Sequence, residues 1–326
     1  MSRSGTGSRA ETGEYRLGFD GRMYVLAFDH RGNFRRRLFG IEGEPDEEQT
    51  ARIAASKRVV FDGLVAAAAT GDVSGDQIGV LVDEQFGGEV PALARENGML
   101  LSMPAEKSDQ AVFDFEYGEE FGEHISAHGV SFTKVLVRQN PDGDAEGNRV
   151  QLQRLKRLAD WLHENDTAFL YELLVPPTDE QLEAAGGDAE RFEREQRPEL
   201  IRRAMADAQA AGVEADIWKL EGIHNRAEAE MLVAQARNAP HREDVVCVLL
   251  GAGAPDDRVR EWMEVVAPVE GFAGFAIGRS IWMRPLERLL AHEIDREGAV
   301  ETIATKYLDF VRFYDDAASG PQRRTV

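Results

Sequence analysis

The sequence predicts a single-domain α/β protein, a (β/α)8 TIM barrel, and three observations carry that prediction. Eight short apolar runs alternate along the chain with longer stretches of helical periodicity. The 326 residues suit one barrel with its outer ring of helices. The residues that follow the apolar runs are rich in charge, amide and glycine, as the loop face of a barrel is. A doubly wound sheet is the rival architecture, but no GxGxxG follows the first run, where a dinucleotide fold would carry it.

Strands of a parallel sheet are covered on both faces and read as near-continuous apolar stretches. The first is MYVLAF (23–28), which ends in FDHRG. IGVLV (78–82) ends in VDEQFGG, and MLLSM (99–103) follows. FTKVLV (132–137) runs into VRQNPDGD, and AFLYELL (168–174) into ELLVPP. DIWKL (216–220) leads to KLEGIHN, VVCVLL (245–250) to LLGAG, and GFAI (274–277) to AIGRS. Helical patterns are expected near 47–70, 119–127, 149–165, 195–211, 225–238 and 256–267, with a closing pair near 281–293 and 298–316. Asn225 and the pair Asp256-Asp257 are expected to cap two of these helices. The acidic stretch 178–196 reads as an insertion before a helix. The barrel is expected over 16–317, flanked by disordered tails at 1–15 and 318–326.

Composition narrows the function. The formal net charge is −21, which lacks the basic footprint of a nucleic-acid binder. No apolar run approaches the ~18 residues of a membrane span, and the polar N-terminus lacks the apolar core of a secretory signal. Cys247 is the single cysteine, within VVCVLL, and is expected to be a buried small hydrophobe. Disulfide scaffolds and zinc–thiolate sites are thereby excluded and a cytoplasmic setting is expected. The seven histidines show no HxH or HExxH spacing, so no metal site is expected, although His30 and His224 both end strands. Partners reduce to a small-molecule ligand, with homo-oligomerisation left open.

Lysine is scarce: six residues, Lys57, Lys107, Lys134, Lys156, Lys219 and Lys306. Two of them, Lys134 and Lys219, fall inside strands. Side chains alternate across a strand, so parity decides where they point. If Trp218 and Leu220 face the helices, Lys219 and Glu221 face the lumen. If Thr133, Val135 and Val137 face outward, Lys134 and Arg138 face inward. Glu172 turns inward with Leu170 and Leu174 on the same reasoning. Strands four, five and six are neighbours, so two lysines, a glutamate and an arginine share one lumen.

This grouping has a chemical logic. A lysine amine attacks a ketone only when unprotonated, and its reference pKa is about 10.4. Burial and a nearby cation lower that value, and Lys134 beside Lys219 would supply both. Glu172 could then shuttle protons. The alternative is a buried ion-pair network without catalysis. Gly251 and Gly253 after strand seven, with Gly278 and Arg279 after strand eight, stand where barrels bind phosphate through backbone N–H groups and a helix N-terminus. Two ordinary tight turns are the alternative there. Asp29 would be a capping or ion-paired residue if it has no part in chemistry.

LAFDHRGNF, VLVDEQFG, FTKVLV, FLYELL, DIWKLEG, VVCVLLGAGAP and GFAIGRSIW occur in this order. Together they resemble the class I aldolases of the tagatose-1,6-bisphosphate type. They are closer still to the aldolase-like domain fused behind 5-dehydro-2-deoxygluconokinase in bacterial inositol catabolism. The resemblance covers about 20–316 and implies a metal-independent aldehyde-lyase with no cofactor. It implies Lys219 as the Schiff-base lysine, Lys134 as the second lysine and Glu172 as the acid/base. It also implies Asp29 and Arg31 as the strand-one pair and Gly278-Arg279 as the phosphate site, with Asp83 closing strand two. Relatives carry aromatics and then histidine or aspartate after the strand-four lysine, whereas this chain has Arg138, Gln139 and Asn140. No kinase half precedes the barrel, so a stand-alone form is expected. The resemblance favours 2-deoxy-5-keto-gluconate 6-phosphate as substrate, with dihydroxyacetone phosphate and malonic semialdehyde as products. Tagatose 1,6-bisphosphate and sulfofructose phosphate are the alternatives. A sugar-phosphate-binding barrel without catalysis is the non-enzymatic one.

Overall fold

The apolar runs become parallel strands because each is covered twice, by helices outside and by packed side chains inside. The computed structural model describes residues 15–320. Its strands are β1 (Met23–Ala27), β2 (Ile78–Leu81), β3 (Leu100–Pro104), β4 (Phe132–Arg138), β5 (Ala168–Leu174), β6 (Ile217–Leu220), β7 (Val246–Leu250) and β8 (Phe272–Ile277). They close in that order into one parallel barrel, with β8 returning to β1. The sequence reading located all eight to within a residue or two.

The helices are α1 (Gly32–Phe39), α2 (Glu47–Ala68), α3 (Glu84–Gly87), α4 (Val90–Glu96), α5 (Phe121–His128), α6 (Ala145–Glu164), α7 (Asp179–Ala184), α8 (Ala189–Glu195), α9 (Arg197–Ala210), α10 (Arg226–Ala236), α11 (Asp256–Val266), α12 (Arg279–Leu290) and α13 (Arg296–Ala318). The insertion at 178–196 folds into α7 and α8, capped by Thr178 and Asp188. Asn225 caps α10 by accepting from the Glu228 amide. Asp256 and Asp257 do not cap α11. They occupy its first turn behind Pro255, where their charge favours the positive end of the helix dipole.

Two apolar layers divide the strand residues by parity. Tyr24, Val135, Phe169, Tyr171, Trp218 and Leu249 pack outward against the helices. Val25, Phe132, Leu170, Ile217 and Val248 fill the lower lumen together with Phe19, which precedes β1. The lower lumen is therefore filled by side chains, and a charged pocket lies at the C-terminal strand ends. Asp216, fully buried just ahead of β6, fastens this floor. It accepts from the Phe169 amide at 2.7 Å, the Gly18 amide at 2.8 Å and the Tyr15 hydroxyl at 3.1 Å, and faces His163 Nε2 at 3.0 Å.

Of the expected tails, 1–14 and 321–326 lie outside the described residues. Tyr15, assigned to the first tail, binds Asp216, and Ala318, assigned to the second, ends α13. Cys247 is buried, and burial pushes its thiol up to about 12. Among the described residues no helix is long and apolar enough to cross a membrane.

Candidate functional site

Parity carries over to the upper lumen. On β5 the side chains of Leu170 and Glu172 lie on the inner face, one pleat apart, and Glu172 pairs in register with Lys219 of β6. Glu172 bridges the two strand lysines. Its Oε1 lies 3.0 Å from Lys219 Nζ and its Oε2 3.1 Å from Lys134 Nζ. Lys134 Nζ also donates to Asp29 Oδ2 and to Glu106 Oε1, each at 2.8 Å. All five side chains are at least nearly buried. A buried ammonium is costly to desolvate unless hydrogen-bonded partners compensate it, and Lys134 has three carboxyls around it.

The electrostatics follow from that arrangement. Burial alone would strip the proton from Lys134, but Asp29, Glu106 and Glu172 outweigh it and keep the amine charged well beyond the ordinary lysine range. Burial would raise the Asp29 carboxyl, but Lys134 above all holds it well below the usual carboxylate range. For Glu172 burial is again outweighed, here by Lys134 and then Lys219, and the carboxyl stays below its ordinary value. Glu106 goes the other way. Burial dominates over Lys134 and Arg31, and its carboxyl is raised. Its Oε2 is buried with no hydrogen-bond partner among the described residues.

These groups line a pocket of about 120 Å³, with His30, Arg31, Gln110, Leu136 and Arg138 on its walls. Arg31 reaches the pocket, but its guanidinium is engaged by Glu116 Oε2 at 2.8 Å and the Glu106 carbonyl at 2.5 Å. Arg138 ends β4 at the rim, exposed, and donates to the Gln110 carbonyl at 3.1 Å. Glu221, expected in the lumen, lies one residue past β6 and turns to the rim. There it accepts from the Val175 amide at 2.9 Å and stands 3.6 Å from Arg197 Nε. Asp83 is structural in setting: it caps α3 through the Phe86 amide and pairs with Lys57, which is wholly buried on α2.

The glycine turns meet at the expected edge. Ala252 and Gly253 both have positive φ, 51° and 72°, after β7. The Arg279 guanidinium lies against Gly253 and donates to the Ala252 carbonyl at 2.8 Å. A Cβ at position 253 would come within 2.6 Å of Arg279 Cζ, so a larger residue there would combine a positive φ with displacement of the Arg279 guanidinium. Gly278 caps α12 and leaves no room for a Cβ beside the Ala27 carbonyl. The first N–H groups of α12 have no intrahelical acceptors.

Two wall residues were not singled out as site residues by the sequence. Glu106 follows β3 in the segment PAEK, a charged strand end like the other seven. His30, between Asp29 and Arg31, has a buried Nδ1 without a hydrogen-bond partner among the described residues, 3.8 Å from Asp29 Oδ1. Burial, then Arg279 and the lysines, push its imidazole down to about 4 despite Asp29.

Comparison with known proteins agrees with the fold. A family model described as an uncharacterized protein conserved in bacteria (DUF2090) matches residues 16–318. No curated protein matches the sequence. Among solved structures, a fructose-bisphosphate aldolase from Plasmodium falciparum superimposes with a TM-score of 0.63 at 13% identity, covering 93% of this chain and 92% of that one. A Corynebacterium glutamicum protein gives a TM-score of 0.55 at 19% identity, covering 90% and 88%. At such identities the likeness is one of fold, the (β/α)8 barrel.

Proposed function

We propose that this chain, which belongs to the DUF2090 family, is a class I aldolase that cleaves a phosphorylated keto-sugar or keto-acid through a Schiff base on Lys219. The observation that carries the reading is one carboxylate, Glu172, held between two buried lysines at the open end of the barrel. An ion-pair network that only stabilised the barrel would gain nothing from facing a pocket, and replacing it by apolar residues is often neutral or stabilising.

The roles follow from the contacts. Glu172, 3.0 Å from Lys219 Nζ, is within reach to take the proton that frees the amine for attack on the substrate ketone. Loss of water from the carbinolamine leaves an iminium, an electron sink. A base takes the proton of the hydroxyl β to it, the C–C bond breaks, and the aldehyde departs. Protonation of the enamine and hydrolysis release dihydroxyacetone phosphate. Lys134 stays cationic beside this chemistry, with Asp29 as its counter-ion. The turn at Gly251 and Gly253, the N-terminus of α12 at Gly278, and Arg279 form the phosphate subsite.

The test is reductive trapping. Incubation with dihydroxyacetone phosphate and borohydride is expected to add one ligand-derived mass, mapped by peptide analysis to Lys219. A protein that binds the ligand and stays unmodified is a sugar-phosphate sensor, and the aldolase reading fails.

For the substrate, 2-deoxy-5-keto-gluconate 6-phosphate is the best fit, giving malonic semialdehyde. Its far end is a carboxylate, and Arg138 supplies an exposed cation at the pocket rim. Arg138→Leu is expected to raise KM for carboxylated substrates on the order of 10- to 100-fold, the range of a lost charge-assisted contact, and to leave neutral ketose phosphates nearly unchanged. Equal loss on both classes excludes this role. Strong preference for a bisphosphate or a sulfonate in the same assay favours tagatose 1,6-bisphosphate or sulfofructose phosphate.

A further inference from the structure

We propose that His30 is a catalytic residue of this site, the base that takes the β-hydroxyl proton as the C–C bond breaks; the inference rests on the aldolase reading. Three observations lead to it. The imidazole lines the same pocket as Lys134, Lys219 and Glu172, and a quarter of its side chain remains accessible there. Its Nδ1 has no hydrogen-bond partner among the described residues, and the ring is held from the side by Trp282, edge to face at 5.6 Å. The carboxylates that could compete for the proton are largely held by the lysines. Glu172 has both oxygens on ammonium groups, Asp29 has Oδ2 and Glu106 has Oε1 on Lys134, and the remaining oxygen of Glu106, Oε2, is buried away from solvent.

The second oxygen of Asp29 completes the arrangement. Oδ1 stands 3.8 Å from His30 Nδ1. With the resting proton on Nδ1, Nε2 keeps its lone pair for the substrate. In the step, the substrate O–H bond breaks as Nε2–H forms, and the oxygen pair becomes the aldehyde C=O. The electrons of the cleaved C–C bond pass to the iminium and make the enamine. The imidazolium that results has the Asp29 carboxylate beside it, and its new proton is returned to the enamine carbon. The groups that set its basicity are Asp29 just past β1, Lys134 from β4, Lys219 from β6 and Arg279 from α12. Three of these four are cations, so a neutral imidazole is the resting form. A substrate phosphate against Arg279 relieves part of that field and makes His30 a better base when substrate is bound.

His30→Gln is the test, read on two reactions of the same protein after its thermal midpoint has shown it folded. Retro-aldol cleavage should fall on the order of 10²- to 10⁴-fold, the range of a lost general base. Borohydride trapping of dihydroxyacetone phosphate on Lys219 involves no C–C bond and should proceed to wild-type stoichiometry. Parallel loss of both reactions means His30 acts only through Lys219 and overturns the proposal, as does unimpaired cleavage. A wild-type protein that does not trap at all brings down the aldolase reading itself, and this inference with it. A second measurement needs no variant. The His30 imidazole resonance in isotope-labelled wild-type protein should titrate at higher pH with saturating inorganic phosphate than without it. An unmoved titration overturns the proposed coupling to the phosphate.

Discussion

Changing Lys219→Met is expected to lower retro-aldol turnover by on the order of 10⁴-fold or more and to abolish reductive trapping, while the protein stays folded. The size of the effect comes from the loss of a covalent route: without the amine no iminium forms and no electron sink exists. The fold should tolerate the change because methionine matches the length of the lysine stem and its sulfur is at home in a buried site. Glu172 loses one ammonium but keeps the other, Lys134, at 3.1 Å. Turnover in a fully folded Lys219→Met protein that came within tenfold of wild type would remove Lys219 from the chemistry. Residual trapping in that variant would move the Schiff base to another amine.

Lys134→Met should act in the opposite register, on stability first. Lys134 is the common partner of Asp29, Glu106 and Glu172. Removing it takes away the ammonium that three buried carboxyls share, leaving Glu172 with Lys219 and Glu106 with Arg31 nearby, which costs about 3–5 kcal/mol at neutral pH. The pH dependence gives the sharper signature. In the wild type, Asp29 and Glu172 sit below their ordinary values. Their contribution is present above the unfolded pKa of about 4 and is lost as pH falls through the folded values. In the variant the crowded carboxyls take raised values. Their stability is then present below the unfolded pKa and lost as pH rises. Urea midpoints between about pH 4 and pH 7 should therefore fall with rising pH more steeply in the variant than in the wild type, where Asp29 and Glu172 contribute a constant amount over most of that range and Glu106 alone of the three sits above its ordinary value. A variant whose midpoint follows the wild-type profile across that range contradicts the account of Lys134 as the organising charge.

Much of this was legible in the sequence, for identifiable reasons. Barrel strands are buried on both faces, so their apolar runs stand out whatever surrounds them. Strand parity then sorted Lys134, Glu172 and Lys219 to one side, because period two has no freedom inside a paired strand. Parity loses authority where the ladder stops. Glu221, one residue past β6, turned to the rim, and Glu106 and His30, both beyond strand ends, were not picked out as site residues. Helix α1 was missed for a different reason. Its cap, Arg31, makes no side-chain capping bond and it spans only eight residues, burying Gly32 and Phe34, so GNFRRRLF is too short for its pattern to stand out. Lys57 lies in the middle of a helix that was expected, yet its pairing with Asp83 depends on contacts between α2 and the end of β2 that no local pattern encodes.

The distribution of amines has a consequence for the protein's own durability. Of six lysines, Lys57, Lys134 and Lys219 are buried, and only Lys107, Lys156 and Lys306 offer amines on the surface, where arginines make most of the ion pairs. A small aldehyde forms simple imines with primary amines, while a guanidinium is protonated at any physiological pH. An enzyme that releases such an aldehyde at every turnover would expose its surface to continual adduct formation. With so few outward amines, this surface would offer the proposed product few places to form an imine, and on the proposed mechanism that chemistry would centre on Lys219 in the lumen.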